Sequence, residues 1–596
     1  MLILPGNRIY GDVYVKRLLL FAHYDRDGLV DKHVLYLLKA LKPFCSETVF
    51  ISNSPVSGSD RADLDLLVDR IICRENRGFD FGAWSEALNI YASRLEDFDT
   101  VLLVNNSCYG PLFPLQEMFD TMAARQCDFW GITEYSGTHH MPAHVQSYFM
   151  EIRKPMLLAD EFKDFFRKIG SKCTDFEQAV RQGEAGFSQA MYAAGFTGDC
   201  YIKMDLSRQA FNVGVCETFS YNCAHYLIEK YRMPLVKIKS FAKISHRPIF
   251  RSAEIFQAIR NSGSDYPEQL IVDHLRRTTP LSWHKNLPQT MLAVDRNARI
   301  TTLPTLKFAV VIHLFYLDSF AELIPYLRNI PVEFDLLVTS PDLKAADEIS
   351  KYRPQLTCLQ NIRVFQTVNR GRDIGAWLCG IPADEHFKYD VILKIHVKKS
   401  PQMPEAFTRE WQNFMNDNLL GSPALAAGVL QAFADEPALG TVFPPYPPEV
   451  TLQCPEAFAG NSDAACAGKE FLQKLNLAPP PETTQPVFGV GSMFYYRPEA
   501  LKKLLTCGMR YEDFPAEPLP FCGTITHALE RLIPYIAQAD RWYYRHSIHT
   551  DSLSRSFRTY ENMIIYASPT LKEALKILLR SIVISWQYRT RHWFGR

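Results

Sequence analysis

The sequence predicts an α/β protein made of two tandem, doubly wound, mostly parallel-sheet domains, and three observations predict it. The stretch Asn76–Trp84 (NRGFDFGAW) returns at Asn369–Trp377 (NRGRDIGAW) with seven letters at identical offsets, 293 residues later (369 − 76). Short runs rich in Val, Leu, Ile and Phe precede both copies, long enough for buried strands. Helical patterns alternate with those runs in the same order on both sides, and alternation of this kind builds parallel sheets.

The elements run in parallel. First strands are Val15–Tyr24 (VKRLLLFAHY) and Leu306–Tyr316 (LKFAVVIHLFY). Helices follow, carried by Val34, Leu37, Leu38 and Leu41 and by Leu323, Tyr326 and Leu327. Second strands are Thr48–Ser52 and Phe334–Thr339; third strands, Arg70–Arg74 and Arg363–Val368, run straight into the two motifs. Beyond them Asp99–Ser107 (DTVLLVNNS) aligns with Asp390–Lys398 (DVILKIHVK), Phe129–Thr133 with Leu439–Phe443, and Ser147–Arg153 with Ser492–Arg497. Residues 251–305 carry few periodic apolar runs and read as a linker or interdomain element. The expected domains are therefore 1–250, 306–555 and a tail, 556–596.

Bulk composition excludes several classes. Lys and Arg total 65, as do Asp and Glu, and a chain without net charge is not a dedicated nucleic-acid binder. Apolar content of 47% describes a packed chain, not a disordered one. The 14 cysteines include no C-x-x-C pair, which argues against a zinc cluster or disulfide framework. No secretory signal is legible at the N-terminus, and no apolar run approaches the roughly 18 residues of a membrane span.

At a strand end, N-R-G-x-D-x-G has clear physical uses. Gly78 and Gly371 permit a left-handed turn or close backbone approach. Asp80 and Asp373 are suited to cap helices beginning near Gly82 and Gly375. Helix N-termini in the crevice at the carboxyl ends of strands favour phosphate, and Arg77, Arg370 and Arg372 are forked donors for it. The competing reading needs no ligand: Asp caps, Gly turns and Trp packs. G-x-x-x-G is not the dinucleotide fingerprint, and no phosphate-binding P-loop occurs. His139, His140 and His144 lack acidic or Cys companions at ligand spacing and read as an exposed loop. Trp542, Tyr543 and Tyr544 are suited to stack on sugar faces, but in a β-rich segment they read as core.

HYDRDGLVDKHVLYLLKAL, RENRGFDFGAW, VLLVNNSCYGPLFPLQEMF and CDFWGIT, with NRGRDIGAW, KIHVKKS, LLGSP and THALERLIPYIA, resemble the rhamnan synthesis protein F family over nearly the whole chain. These bacterial polysaccharide-assembly proteins are regarded as glycosyltransferases, often rhamnosyltransferases. Each half also looks like the glycosyltransferase A fold, whose fourth strand normally ends in an Asp-x-Asp site for a divalent cation, Mg or Mn. Here those places read Asn105-Asn106-Ser107 and His396-Val397-Lys398, without paired carboxylates. Asn105 and Ser107 remain candidates to bind sugar or a cation weakly; His396, Lys398 and Lys399 are candidates to neutralise a diphosphate directly, with a solvated loop at VKKS as the equal competing reading. The resemblance thus implies a donor site drawn from Asn76, Arg77, Gly78, Asp80, Asn105, Asn106 and Ser107, and from Asn369, Arg370, Gly371, Arg372, Asp373, His396, Lys398 and Lys399.

An inverting transfer needs a carboxylate to take the acceptor's proton. Glu184, in GEAGFSQAMYAAGF, fits by position; an acidic first-turn residue is the competing reading. In the second half the family's Asp before Gly-Thr is Cys522, leaving Glu517, Asp513 and Glu530 as alternatives, with Glu530 read as a helical ion-pair partner.

In the tail, Leu571, Leu575, Leu578, Leu579, Ile582 and Trp586 line one helical face, with Lys572, Lys576 and Arg580 on another. A basic amphipathic helix reads as an anchor on anionic lipid, or as a helix docked on the protein body. The expectation is a cytoplasmic glycosyltransferase, peripheral on the inner face of the plasma membrane. It adds a sugar, L-rhamnose by the resemblance, from a nucleotide diphosphate donor to a lipid-linked or polymeric glycan of O-antigen or rhamnan type. The alternative is a non-catalytic glycan-binding or scaffold protein.

Overall fold

The computed structural model describes residues 9–10, 13–137, 141–170, 172–203, 219–242, 252–397, 405–447, 463–480, 487–520 and 523–554. The expectations for His139, His140, Lys398, Lys399, Cys522 and the 556–596 tail lie outside these residues. The chain divides into two compact units, Met1–Thr279 with Asn286–Pro288, and Pro280–Lys285 with Gln289–Arg596.

The first unit is built on an eight-stranded mixed sheet. Its strands are β1 (Arg17–His23), β2 (Glu47–Ser52), β3 (Arg70–Cys73), β4 (Thr100–Asn105), β5 (Phe129–Tyr135), β6 (His144–Val145), β7 (Phe149–Arg153) and β8 (Gly198–Ile202). They lie in the order β3-β2-β1-β4-β7-β5-β8, with β6 paired to β5. Parallel pairing runs from β3 to β4 and joins β5 to β8; β7 is antiparallel to both its neighbours. Both faces are covered, so the strands are apolar throughout rather than alternating. Leu19, Phe21, Leu102 and Val104 meet helix α1 (Lys32–Leu41), while Leu18, Leu20, Val101 and Leu103 meet helix α2 (Phe79–Ile90).

The 251–305 stretch holds more order than its sequence signals. Helices α3 (Ser252–Asn261) and α4 (Glu268–Thr278) bury Ile255, Phe256, Ile259, Ile271, Val272 and Leu275 in the α1 face of the first unit. Met291–Val294 then joins the second sheet as a strand.

That second sheet also has eight strands. They are β9 (Met291–Val294), β10 (Phe308–His313), β11 (Phe334–Ser340), β12 (Leu359–Gln366), β13 (Val391–His396), β14 (Leu439–Phe443), β15 (Phe494–Tyr496) and β16 (Tyr543–His549). The order β12-β11-β10-β13-β15-β14-β16-β9 repeats that of the first unit strand for strand, with β9 added at the edge. Directions agree too, since β15 is antiparallel to both β13 and β14. One small device occurs in both units. Asp99 accepts the Lys16 N–H at 2.9 Å and Asp390 accepts the Lys307 N–H at 2.7 Å, each tying the start of the fourth strand to that of the first. The chain is an α/β protein, as its alternating pattern predicts. Tyr543 and Tyr544 are core, as read.

Candidate functional site

In both units the motif forms the turn into a helix at the carboxyl end of the sheet: α2 in the first, and α5 (Arg372–Gly380) in the second. Gly78 and Gly371 are left-handed, with φ of 73° and 75°, and are themselves the N-caps. The expectation that Asp80 and Asp373 are the N-caps of these helices is corrected: both lie one residue inside the helix, and although Asp80 Oδ1 accepts the Phe81 N–H at 3.1 Å, Oδ2 of each meets groups on other elements. A Cβ on Gly82 or Gly375 would overlap the carbonyl oxygen of Arg77 or Arg370, so each second glycine permits backbone contact within the turn. Trp84 and Trp377 are fully buried, donating Nε1–H to Leu20 O at 3.1 Å and to Tyr496 Oη at 3.0 Å. Gly, Gly, Ala and Trp thus build and pin the turn, leaving Asp as the motif's chemical group.

In the first unit Asp80 Oδ2 accepts from Asn105 Nδ2 at 2.8 Å, at the very end of β4. Asn105 Oδ1 in turn accepts from Ser107 N at 3.1 Å and Ser107 Oγ at 2.6 Å. Asn106 turns away and clamps the backbone of Tyr24 through both ends of its amide. Burial pushes the Asp80 carboxyl above its ordinary value; the Asn105 bond opposes that, and the charge of Glu184 adds to it.

Glu184 belongs to a π-helical turn, Ala179–Ala185, that runs into the helix Gly186–Ala193. Such turns recur at functional sites. Its Oε2 accepts from Ser147 N at 2.8 Å and Ser147 Oγ at 2.6 Å, and its Oε1 lies 3.2 Å from His144 Nε2. Burial alone would raise its pKa, but His144, the Lys237 charge and Ser147 overcome that and hold it at about 2. His144 Nδ1 lies 2.7 Å from Pro142 O and must donate there, so its Nε2 bonds an ionised Glu184 when the ring carries both protons. His144 is 4% exposed; the exposed-loop reading is corrected for this residue. His144, Ser147 and Lys237 were all missed from the sequence as partners of Glu184, because it lies 40, 37 and 53 residues from them (184 − 144, 184 − 147, 237 − 184) on another element.

The second unit fills the same place differently. Asp373 Oδ2 accepts from Lys394 Nζ at 2.6 Å and from Ser492 Oγ, with His396 Nδ1 at 3.7 Å. Lys394 also donates to Ser492 O at 3.0 Å and lies over the Trp377 ring, 5.7 Å from its centroid. Although burial opposes it, the Lys394 and His396 charges hold the Asp373 carboxyl well below the usual range. Helix α6 (Ile525–Ala539) supplies Glu530, whose Oε1 accepts the N–H groups of Gly491 at 2.6 Å and Ser492 at 3.2 Å. Glu530 therefore also anchors the turn that presents Ser492.

The remaining candidates do other work. Asn76 and Asn369 are exposed, and Arg77 pairs with Glu75 at the surface at 2.7 Å. Arg370 donates to Phe514 O at 2.6 Å and Glu512 O at 3.2 Å, clamping a loop, and Arg372 reaches Pro520 O at 3.5 Å. Glu517 accepts the Leu519 N–H at 2.9 Å.

A family model described as rhamnan synthesis protein F matches residues 48–542, well over half of the chain. The chain belongs to the rhamnan synthesis protein F family. Among curated relatives, the uncharacterized protein WxcX of Xanthomonas campestris pv. campestris is 30% identical over 226 residues, covering 38% of this chain and 30% of that one. Protein y4gN of Sinorhizobium fredii is 25% identical over 32% of this chain and 50% of its own. The chain thus spans between about a third and a half of these two relatives. Among solved structures, the glycosyltransferase GlyE of Streptococcus pneumoniae aligns over 66% of this chain and 88% of its own, at 11% identity and a TM-score of 0.25, which decides nothing here.

In this rhamnan synthesis F chain, neither fourth-strand end suits the divalent cation of an Asp-x-Asp site. Asn105 and Ser107 spend their polar atoms on one another and on Asp80. In the second unit the Lys394 ammonium already occupies the face of Asp373. Among the described residues, no helix is long and apolar enough to cross a membrane.

Proposed function

We propose that this family member is a glycosyltransferase of bacterial polysaccharide assembly whose transfer site is the Asp80–Glu184 crevice of the first unit. One observation carries the reading: two partly buried carboxylates have opposed environments there, Asp80 raised by burial and by the charge of Glu184, and Glu184 held down at about 2 by its own partners. Paired carboxylates with opposed environments are the arrangement acid–base chemistry uses. The acceptor hydroxyl attacks the anomeric carbon and the donor's nucleotide diphosphate departs. The hydroxyl proton passes to the carboxylate pair, with Asp80 the member that favours holding it. Glu184 stays anionic and steadies the positive charge that develops on the sugar ring, while Lys237 lies at hand for the leaving diphosphate.

The second unit is read as non-catalytic, because Lys394 and Ser492 already satisfy Asp373. The finer reading takes L-rhamnose as the donor sugar and a lipid-linked or polymeric glycan as the acceptor. It places the chain in the cytoplasm, held at the inner membrane face by the basic tail. Calorimetry with a panel of nucleotide sugars, followed by turnover assays, tests it on wild type, Asp80→Asn and Asp373→Asn. One donor should bind, and Asp80→Asn should abolish turnover. Turnover lost only in Asp373→Asn would move the site to the second unit; a folded protein that binds no donor would leave a scaffold.

A further inference from the structure

Away from the crevice, on the opposite face of the first sheet, the N-terminus of helix α1 and helix α4 bring together Asp31, His33 and His274. One candidate ligand atom from each lies within 4.8 Å of the other two. His33 is 2% exposed, and neither of its ring nitrogens has a hydrogen-bond partner. A buried, unpartnered imidazole is costly unless something else meets it. What it faces is His274, with ring centroids 4.5 Å apart.

His274 has the setting of a ligand. Its Nδ1 lies 2.6 Å from the Tyr109 hydroxyl, and its Nε2 looks towards Asp31 Oδ2 at 3.7 Å. When Nδ1–H donates to Tyr109, the Nε2 lone pair faces Asp31 Oδ2, an oxygen that Arg277 Nη2 also meets and that keeps a further lone pair for a second cation. An outer partner that fixes the tautomer in this way is the usual companion of a metal-bound imidazole.

Charge points the same way. Arg277 donates to Asp27 at 2.9 Å, to Asp25 at 2.5 and 3.2 Å, and to both oxygens of Asp31, through Nε at 3.3 Å and more closely through Nη2. Three carboxylates against one guanidinium leave two negative charges in a partly buried cluster, the complement of a divalent ion. Two imidazoles and one carboxylate select a borderline transition metal such as Zn²⁺ over Mg²⁺ or Ca²⁺.

We propose that Asp31, His33 and His274 form a binding site for one divalent transition-metal ion, Zn²⁺ by its donor set, clamping helix α1 to helix α4. The ion is structural: it fixes the Asp25–Asp31 loop, which adjoins the Tyr24 backbone held by Asn106. It stands independently of the transfer reaction proposed above.

The full chain, stripped with a chelator, is titrated with Zn²⁺ and with Co²⁺ while melting temperature and the visible Co²⁺ spectrum are followed. One ion per chain should bind, raise the melting temperature and give the intense visible absorption of a four-coordinate site. His33→Asn and His274→Gln should lose that binding, and Tyr109→Phe should weaken it by about 10–100-fold, the usual effect of removing an outer partner. Should the His variants fail to fold, X-ray absorption of the wild type with Zn²⁺ counts the imidazole ligands directly, and two are expected. No saturable binding by the stripped chain, full binding in both folded His variants, or a metal centre without imidazole would each overturn the site.

Discussion

Lys394 donates to Asp373 across 2.6 Å, whereas Asp80, the same motif position in the first unit, receives the neutral amide of Asn105 at 2.8 Å. The two units share strand order and motif geometry, yet one aspartate is neutralised and the other is not. An ammonium 1% exposed cannot leave its carboxylate without stranding a buried charge. Lys394→Met should therefore destabilise the second unit by about 3–5 kcal/mol, the range for removing one member of a buried pair. Adding Asp373→Leu should recover most of the loss. Urea unfolding of the single and double variants measures both, and a single variant as stable as wild type would show that the pair contributes nothing.

Glu184 makes the first unit's stability depend on acid. Its folded pKa of about 2 lies below its ordinary 4.5, so the stabilisation is complete above 4.5 and is lost as pH falls towards 2. The difference corresponds to about 3 kcal/mol at neutral pH. Glu184→Gln keeps the shape without the charge and should flatten that part of the stability curve between pH 5 and 2. Denaturation midpoints across this window, wild type against variant, give the comparison; parallel curves would place the acid sensitivity elsewhere.

The second glycine of each motif gives a sharper structural test. A methyl group at position 82 or 375 meets a carbonyl oxygen of its own turn, an obstacle no rotamer change relieves. Gly82→Ala and Gly375→Ala should each cost about 1–3 kcal/mol through overpacking. Melting temperatures report the loss, and unchanged values would mean that the turn yields easily.

The strands and the repeated motif were legible because both faces of each sheet are buried: Leu18 to Phe21 have to be apolar in an unbroken run, and Trp84 has to fill the gap beneath its helix. Local physics explains four of the motif's seven letters. The rest was not local. Asp80 reads as a cap because Asp in a first helical turn usually is one; that Asn105 would take it instead depends on β4, twenty-five residues away. His144 reads as loop because its partner, Glu184, lies forty residues on, and a sequence shows no contact at that separation. Lys394 sits inside the apolar run VILKIH, and an ionisable residue within a buried strand was the one available signal of the buried pair.

The carboxylate pair makes the most direct prediction about chemistry. Asp80 is raised by burial and further by the charge of Glu184, so the acid limb of kcat/KM should follow Asp80 and lie above the range of an exposed aspartate. Replacing Glu184 by Gln removes a negative neighbour. Asp80 then ionises more readily, and the acid limb of the residual activity should move to lower pH. Should that activity be too weak to follow, the infrared carboxyl band of Asp80, assigned by its loss in Asp80→Asn, carries the same titration. A limb or band that stays in place would show that the two carboxylates titrate independently and do not share a proton in transfer.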